Sequence, residues 1–159
     1  MADFLDELIS FWQRHKVTAA AKKATAPEIE AWEQQYNVIL PADLRAYVLR
    51  VNGILHGELL EFDHEGISFL PLSAMCPEDQ WTESEPRRHD RFVFADLLIK
   101  CQWWCMALDD QPHKNTPIFI GGGLPTQNTL VASSLAEFFD LYMNDHMAIY
   151  PRRPEGSTD

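Results

Sequence analysis

At 159 residues the chain has room for one hydrophobic core rather than two. With 46% apolar and 23% charged residues it sits in the globular range, which excludes fibrous and disordered classes. A net charge of −11, from 24 acidic side chains against 13 Lys plus Arg, repels a phosphate backbone and argues against DNA or RNA as a partner.

The N-terminal acids Asp3, Asp6 and Glu7 stand where a secretory signal would be basic. No apolar run approaches the ~20 residues that cross a bilayer as a helix. Cys76, Cys101 and Cys105 are too few, and odd in number, for a disulfide framework. These features together lead to the expectation of a cytoplasmic protein without membrane segments.

In chain order, Phe4, Leu5, Leu8, Ile9, Phe11 and Trp12 recur at helical spacing and define a first helix over about residues 2–15. Thr25 and Glu28 have capping-box spacing, with Pro27 inside the first turn of a second helix whose apolar face is Ile29, Trp32 and Tyr36. Asn37 is its left-handed stop. Pro41 opens a third helix bearing Leu44, Tyr47, Val48 and Val51, which Asn52-Gly53 ends.

The period then changes. Leu60 and Phe62, a turn at Asp63 to Gly66, and Ile67 to Leu70 read as a hairpin. Ser73 to Arg91 is a polar excursion with Pro77 and Pro86, expected to hold a short helix and to be the most mobile stretch. Further strands are expected at Phe92–Ala95, Leu98–Lys100, Trp103–Leu108, Pro117–Ile120 and Thr129–Ala132. Ser134 and Glu137 cap a last helix over about 135–145. Residues 151–159 form a tail with nothing to bury.

Helices, then strands, then a helix is the order of an α+β domain: an antiparallel sheet of about four to six strands packed against N-terminal helices and a C-terminal helix. One domain spans residues 1–150.

The segment with Glu30 and Glu33 on a helix, then Leu40-Pro41-Ala42-Asp43-Leu44, then a helix closing on Val51-Asn52-Gly53, resembles the opening of the SUKH superfamily, the Smi/Knr-type domain. Phe94 to Ile99, Trp104 to Leu108, Pro117 to Gly121 and Val131 to Phe138 are similar to the rest of that family's core, so the resemblance covers about residues 26–145. It implies a SUKH-like fold and a binding function: bacterial members resemble immunity proteins against toxins, and fungal ones a cell-wall regulator. It transfers no catalytic residue. The extra helix at 2–15 and the acidic excursion near 78–91 depart from the pattern and are where partner choice is expected to lie.

Between Ile54 and Glu85 the acids Glu58, Glu61, Asp63, Glu65, Glu78, Asp79, Glu83 and Glu85 occur without a Lys or Arg. Such a run is either a solvated face that aids solubility or a docking face for a basic partner steered by charge. Trp81 lies within it and has the character of an interface anchor. Trp103 and Trp104, adjacent in a strand, must point to opposite faces, so one of them is a candidate for exposure.

Cys101 and Cys105 lie four apart, which puts them on one face of a strand and lacks the spacing of a zinc or redox pair, and His15, His56, His64, His89, His113 and His146 lack metal-ligand spacing. Gly121-Gly122-Gly123 is not followed by the lysine and hydroxyl of a phosphate loop, and reads as a strand-ending turn. The chain is therefore expected to be non-enzymatic, without metal or cofactor. Its partner is expected to be a protein, foremost a basic toxin domain such as a nuclease, neutralised by stoichiometric binding. The alternative is an intracellular regulatory or scaffold module for an endogenous partner.

Overall fold

The computed structural model of the chain describes residues 3–17, 22–54, 62–83, 88–122 and 129–151. Three helices come first: α1 (Phe4–Arg14), α2 (Ala26–Tyr36) and α3 (Ala42–Arg50). The first two begin where local chemistry satisfies the free N–H groups of a first turn. Asp3 accepts from Leu5 N, and Thr25 Oγ1 accepts from Glu28 N at 3.3 Å. At α3 the acceptors come from elsewhere in the chain: Ala42 N donates to His113 O and Asp43 N to Lys114 O. Asn37 is left-handed at φ 53°, as its type suggests for a stop.

A five-stranded sheet follows in the order β1-β2-β3-β4-β5, formed by Ile67–Phe69, Arg91–Leu97, Gln102–Ala107, Ile118–Ile120 and Leu130–Ala132. Every neighbouring pair is antiparallel, so the sheet is a meander. The short helix α4 (Glu78–Trp81) precedes β2, and α5 (Leu135–Asn144) follows β5. The architecture is α+β, as the order of sequence patterns requires.

One face of the sheet carries the helices. Phe69, Phe94 and Trp104 project from three strands against Phe138, Phe139 and Tyr142 of α5, with ring centroids 5.1–6.4 Å apart. Trp12 of α1 and Tyr47 of α3 close the cluster. Aromatic pairs of this kind add about 0.5–1.5 kcal/mol each beyond their area burial.

The α1 helix, outside the resemblance to the family, is wedged into this core through Leu5, Leu8, Phe11 and Trp12. Trp12 Nε1 donates to Tyr142 Oη at 3.1 Å, and Tyr142 Oη donates to Asp63 Oδ2. Asp63 Oδ1 accepts from Glu65 N and Ile67 N, both at 2.8 Å, so one carboxylate ties α5 to the turn before β1. Tyr142→Phe strands the Trp12 donor and one Asp63 oxygen, and is expected to cost about 1–3 kcal/mol, read as a lowered urea midpoint with unchanged slope.

Four expectations need correction. Leu98, Ile99 and Lys100 do not form a strand: all three are left-handed, at φ 47°, 57° and 64°, and make the β2–β3 turn. Cys101 falls in that turn, exposed, and does not share a strand face with buried Cys105. Phe62 is not paired in a strand; Leu60 lies outside the described residues, and β1 pairs with β2. Trp103 and Trp104 do face opposite sides of the sheet, yet both are buried, because α4 covers the second face.

The excursion expected to be mobile is pinned at many points in its described part. Trp32 Nε1 donates to Met75 O at 3.2 Å, Pro77 bridges Phe92, and Val93 N donates to Cys76 O at 2.9 Å. Residues 84–87 and the tail beyond Pro151 lie outside the described residues.

Candidate functional site

The second sheet face, opposite the aromatic cluster, carries α4. Its anchor is Glu78, only 1% exposed. Glu78 Oε2 accepts from Trp103 Nε1 at 2.8 Å, Gly122 N at 3.3 Å and Cys105 Sγ at 3.3 Å, while Oε1 accepts from Arg88 N at 3.1 Å. All four partners are donors, which suits an ionised carboxylate because it only accepts. Gly121 lets the indole of Trp103 lie on the backbone: a Cβ there would sit 2.3 Å from the ring. Gly121 and Gly122, which follow β4, are thus shaped to a tryptophan, and Gly123 lies outside the described residues.

Cys105 sits in this network as a donor. Burial, then the neighbouring Glu78 charge, pushes its thiol well above the ordinary range. A nucleophilic cysteine needs the opposite, a lowered pKa that populates the thiolate. Cys76 is likewise raised, chiefly by burial. Among the described residues no group of three or more His, Cys, Asp or Glu side chains is placed to hold a metal ion. No helix among them is long and apolar enough to cross a membrane.

The outer side of α4 is a surface feature. Asp79, Gln80, Trp81, Thr82, Glu83 and Lys100 line a cleft of about 530 Å³. Asp79 and Glu83 are exposed, and Trp81 is half-buried with Lys100 Nζ 4.7 Å from its ring centroid. Lys100 Nζ also donates to Trp81 O at 2.7 Å. Lys100 belongs to the β2–β3 turn, so the cleft and the turn are adjacent. On the turn's other side Leu98 N donates to Gly66 O at 3.1 Å, which places exposed Glu65 beside it.

The acidic residues singled out from the sequence therefore separate into three groups. Glu65, Asp79 and Glu83, with Trp81, border one edge of the molecule around the β2–β3 turn. Glu78 and Asp63 are turned inward, the latter 7% exposed, and serve as acceptors for buried donors. Glu58, Glu61 and Glu85 lie outside the described residues.

Asp96, hidden within an apolar run of the sequence, is the residue that builds this edge. It is fully buried, paired across the sheet with Ser68 and Trp103, and its Oδ1 accepts from Lys100 N at 2.7 Å. Burial raises its carboxyl above the usual range, against the opposing pull of that hydrogen bond. A lone acid in Phe94-Ala95-Asp96-Leu97 was the available signal, since an unsolvated carboxylate must have backbone donors to hold.

The elements that carry the resemblance are also the ones that set this framework. Asp43 Oδ2 accepts from Thr116 N and Leu135 N, both at 3.0 Å, and Oδ1 from Thr116 Oγ1 at 2.6 Å. Glu33 accepts from Leu40 N at 2.7 Å and pairs with Arg45 at 3.0 Å, locking α2 to α3. No curated protein and no solved structure matches the chain. The profile of the SMI1/KNR4 family (SUKH-1) matches residues 23–141, spanning both carboxylate clasps and the edge around α4. The chain belongs to the SMI1/KNR4 family (SUKH-1).

Proposed function

We propose that the chain is a non-enzymatic, cytoplasmic immunity protein that neutralises a cognate bacterial toxin by stoichiometric binding, the partner being a basic domain such as a nuclease. Membership of the SUKH-1 family is compatible with that role. The observation that carries the reading is the exposure of Glu65, Asp79 and Glu83 around one edge, where Lys100 is engaged by Trp81 and Glu65 lies 3.8 Å from His146 Nε2. Complementary charge of this kind speeds encounter more than it deepens affinity.

The test is association with the toxin domain encoded beside the chain's own gene. The triple substitution Glu65→Lys, Asp79→Lys, Glu83→Lys is expected to slow association by about tenfold or more at low ionic strength, with the difference shrinking as salt is added. An on-rate unchanged at low salt would remove the acidic rim from the interface. Failure of the unaltered chain to bind or protect against that toxin would favour a regulatory module for an endogenous protein instead.

A further inference from the structure

The β2–β3 connection has a conformation that its residue types resist. Leu98, Ile99 and Lys100 are consecutive left-handed residues without a glycine among them, and Ile99 is β-branched, for which this region is a genuine outlier. The hydrogen bond from Cys101 N to Leu97 O at 3.0 Å closes them into a single left-handed turn. The turn is over-determined by its surroundings: Asp96 Oδ1 holds Lys100 N, Gly66 O holds Leu98 N, and Trp81 O holds Lys100 Nζ.

What this costly geometry achieves is outward display. Leu98 is 57% and Ile99 68% exposed, side by side at the tip of a rigid hairpin. Strained backbone held in place by a supporting shell is found where a side chain must be presented in one orientation. Apolar anchors held rigidly before binding lose little entropy on docking, which is the general route to tight association. The tip adjoins the cleft lined by exposed Asp79 and Glu83 through Lys100, and on its other side the backbone of Gly66, next to exposed Glu65, whose carboxylate lies 3.8 Å from His146 Nε2. An apolar centre within a polar rim is the arrangement of interface hot spots.

We infer that the left-handed β2–β3 turn is the apolar anchor of the docking surface, inserting Leu98 and Ile99 into an apolar pocket bordered by basic side chains on a protein partner. The inference rests on the protein-binding reading above and adds the residues that would carry its affinity. Trp81, half-buried under Lys100, supports the turn from below and positions it rather than serving as the inserted group.

The experiment places the photo-crosslinking residue p-benzoylphenylalanine at Ile99 in the full chain, and in parallel chains at Leu49 on α3 and Leu130 on β5, which are 40% and 53% exposed. Irradiation in the source cell is expected to give an adduct from position 99 to a basic protein, joined at or beside an apolar residue. With that partner purified, Ile99→Asn should raise Kd at least tenfold while leaving the thermal midpoint unchanged or higher, since Asn tolerates the left-handed region. Adducts at 49 or 130 without one at 99 would overturn the anchor and leave protein binding standing. No adduct at any position would overturn both. A Kd within twofold of the unaltered chain, or a loss of binding accompanied by a lower thermal midpoint, would overturn the anchor.

Discussion

Replacing Gly53 with alanine is expected to destabilise the fold by about 3 kcal/mol or more, because two separate penalties fall on the same atom. Gly53 is left-handed at φ 78°, where a Cβ is already disfavoured. That Cβ would also lie 2.4 Å from Phe69 O and 2.8 Å from the carbonyl carbon and oxygen of Leu70, all backbone atoms of β1 and its exit. Nothing flexible is available to give way. The strand would have to move, and the hydrogen bond from Ile54 N to Phe69 O at 2.8 Å would go with it. The adjacent Asn52 would be disturbed too, since it bridges Leu72 N and Lys22 O. Gly66→Ala is the matched control: its φ of 84° is equally left-handed, but the new Cβ meets the side chain of exposed Leu98 at 2.8 Å. Its cost should be nearer 1 kcal/mol. Urea denaturation of the two variants separates close packing from backbone conformation, and equal midpoints would contradict the argument.

Glu78→Ala is expected to cost about 3–5 kcal/mol, since it leaves the indole N–H of Trp103 and the amide of Gly122 buried without their acceptor and removes the partner of the half-buried Arg88 amide. Glu78→Gln tests the chemistry behind that figure. It keeps the shape but replaces one acceptor oxygen with an NH₂ group that would face another donor, so it should recover little of the loss. Trp103 fluorescence together with a urea melt reads both the local and the global effect. A loss below about 1 kcal/mol for the alanine variant would mean that α4 is held by other contacts. The same substitution bears on function, because α4 forms one wall of the cleft beside the β2–β3 turn. Its loss should loosen the acidic rim even where the helical face of the sheet survives.

The order of elements was legible because it rests on local chemistry. The capping pair Thr25 and Glu28, the left-handed stop at Asn37 and the turn at Asn52-Gly53 are all present where short-range spacing put them. Ser134 also caps α5, although Glu137 reaches back to Ser133 rather than to the cap itself. The opposed faces of Trp103 and Trp104 followed from strand alternation alone. The β2–β3 turn was not legible, because Leu98, Ile99 and Lys100 have strand-forming or neutral propensities. Asp96, four residues before Lys100, holds the turn locally, but Gly66 and Trp81 are brought to it only by pairing across the sheet and by α4.

By itself the sequence determined the helices, most of the strands, the α+β class and the family, since periodicity, caps and turns act within a few residues. Whether a given carboxylate is a surface charge or an internal acceptor was decided only by tertiary structure. Glu78 and Asp79 are neighbours of the same type, yet one is fully enclosed among four donors and the other faces water. The difference arises because burial of a charge depends on how many donors distant segments bring to it, and in Glu78 those donors come from Arg88, Trp103, Cys105 and Gly122.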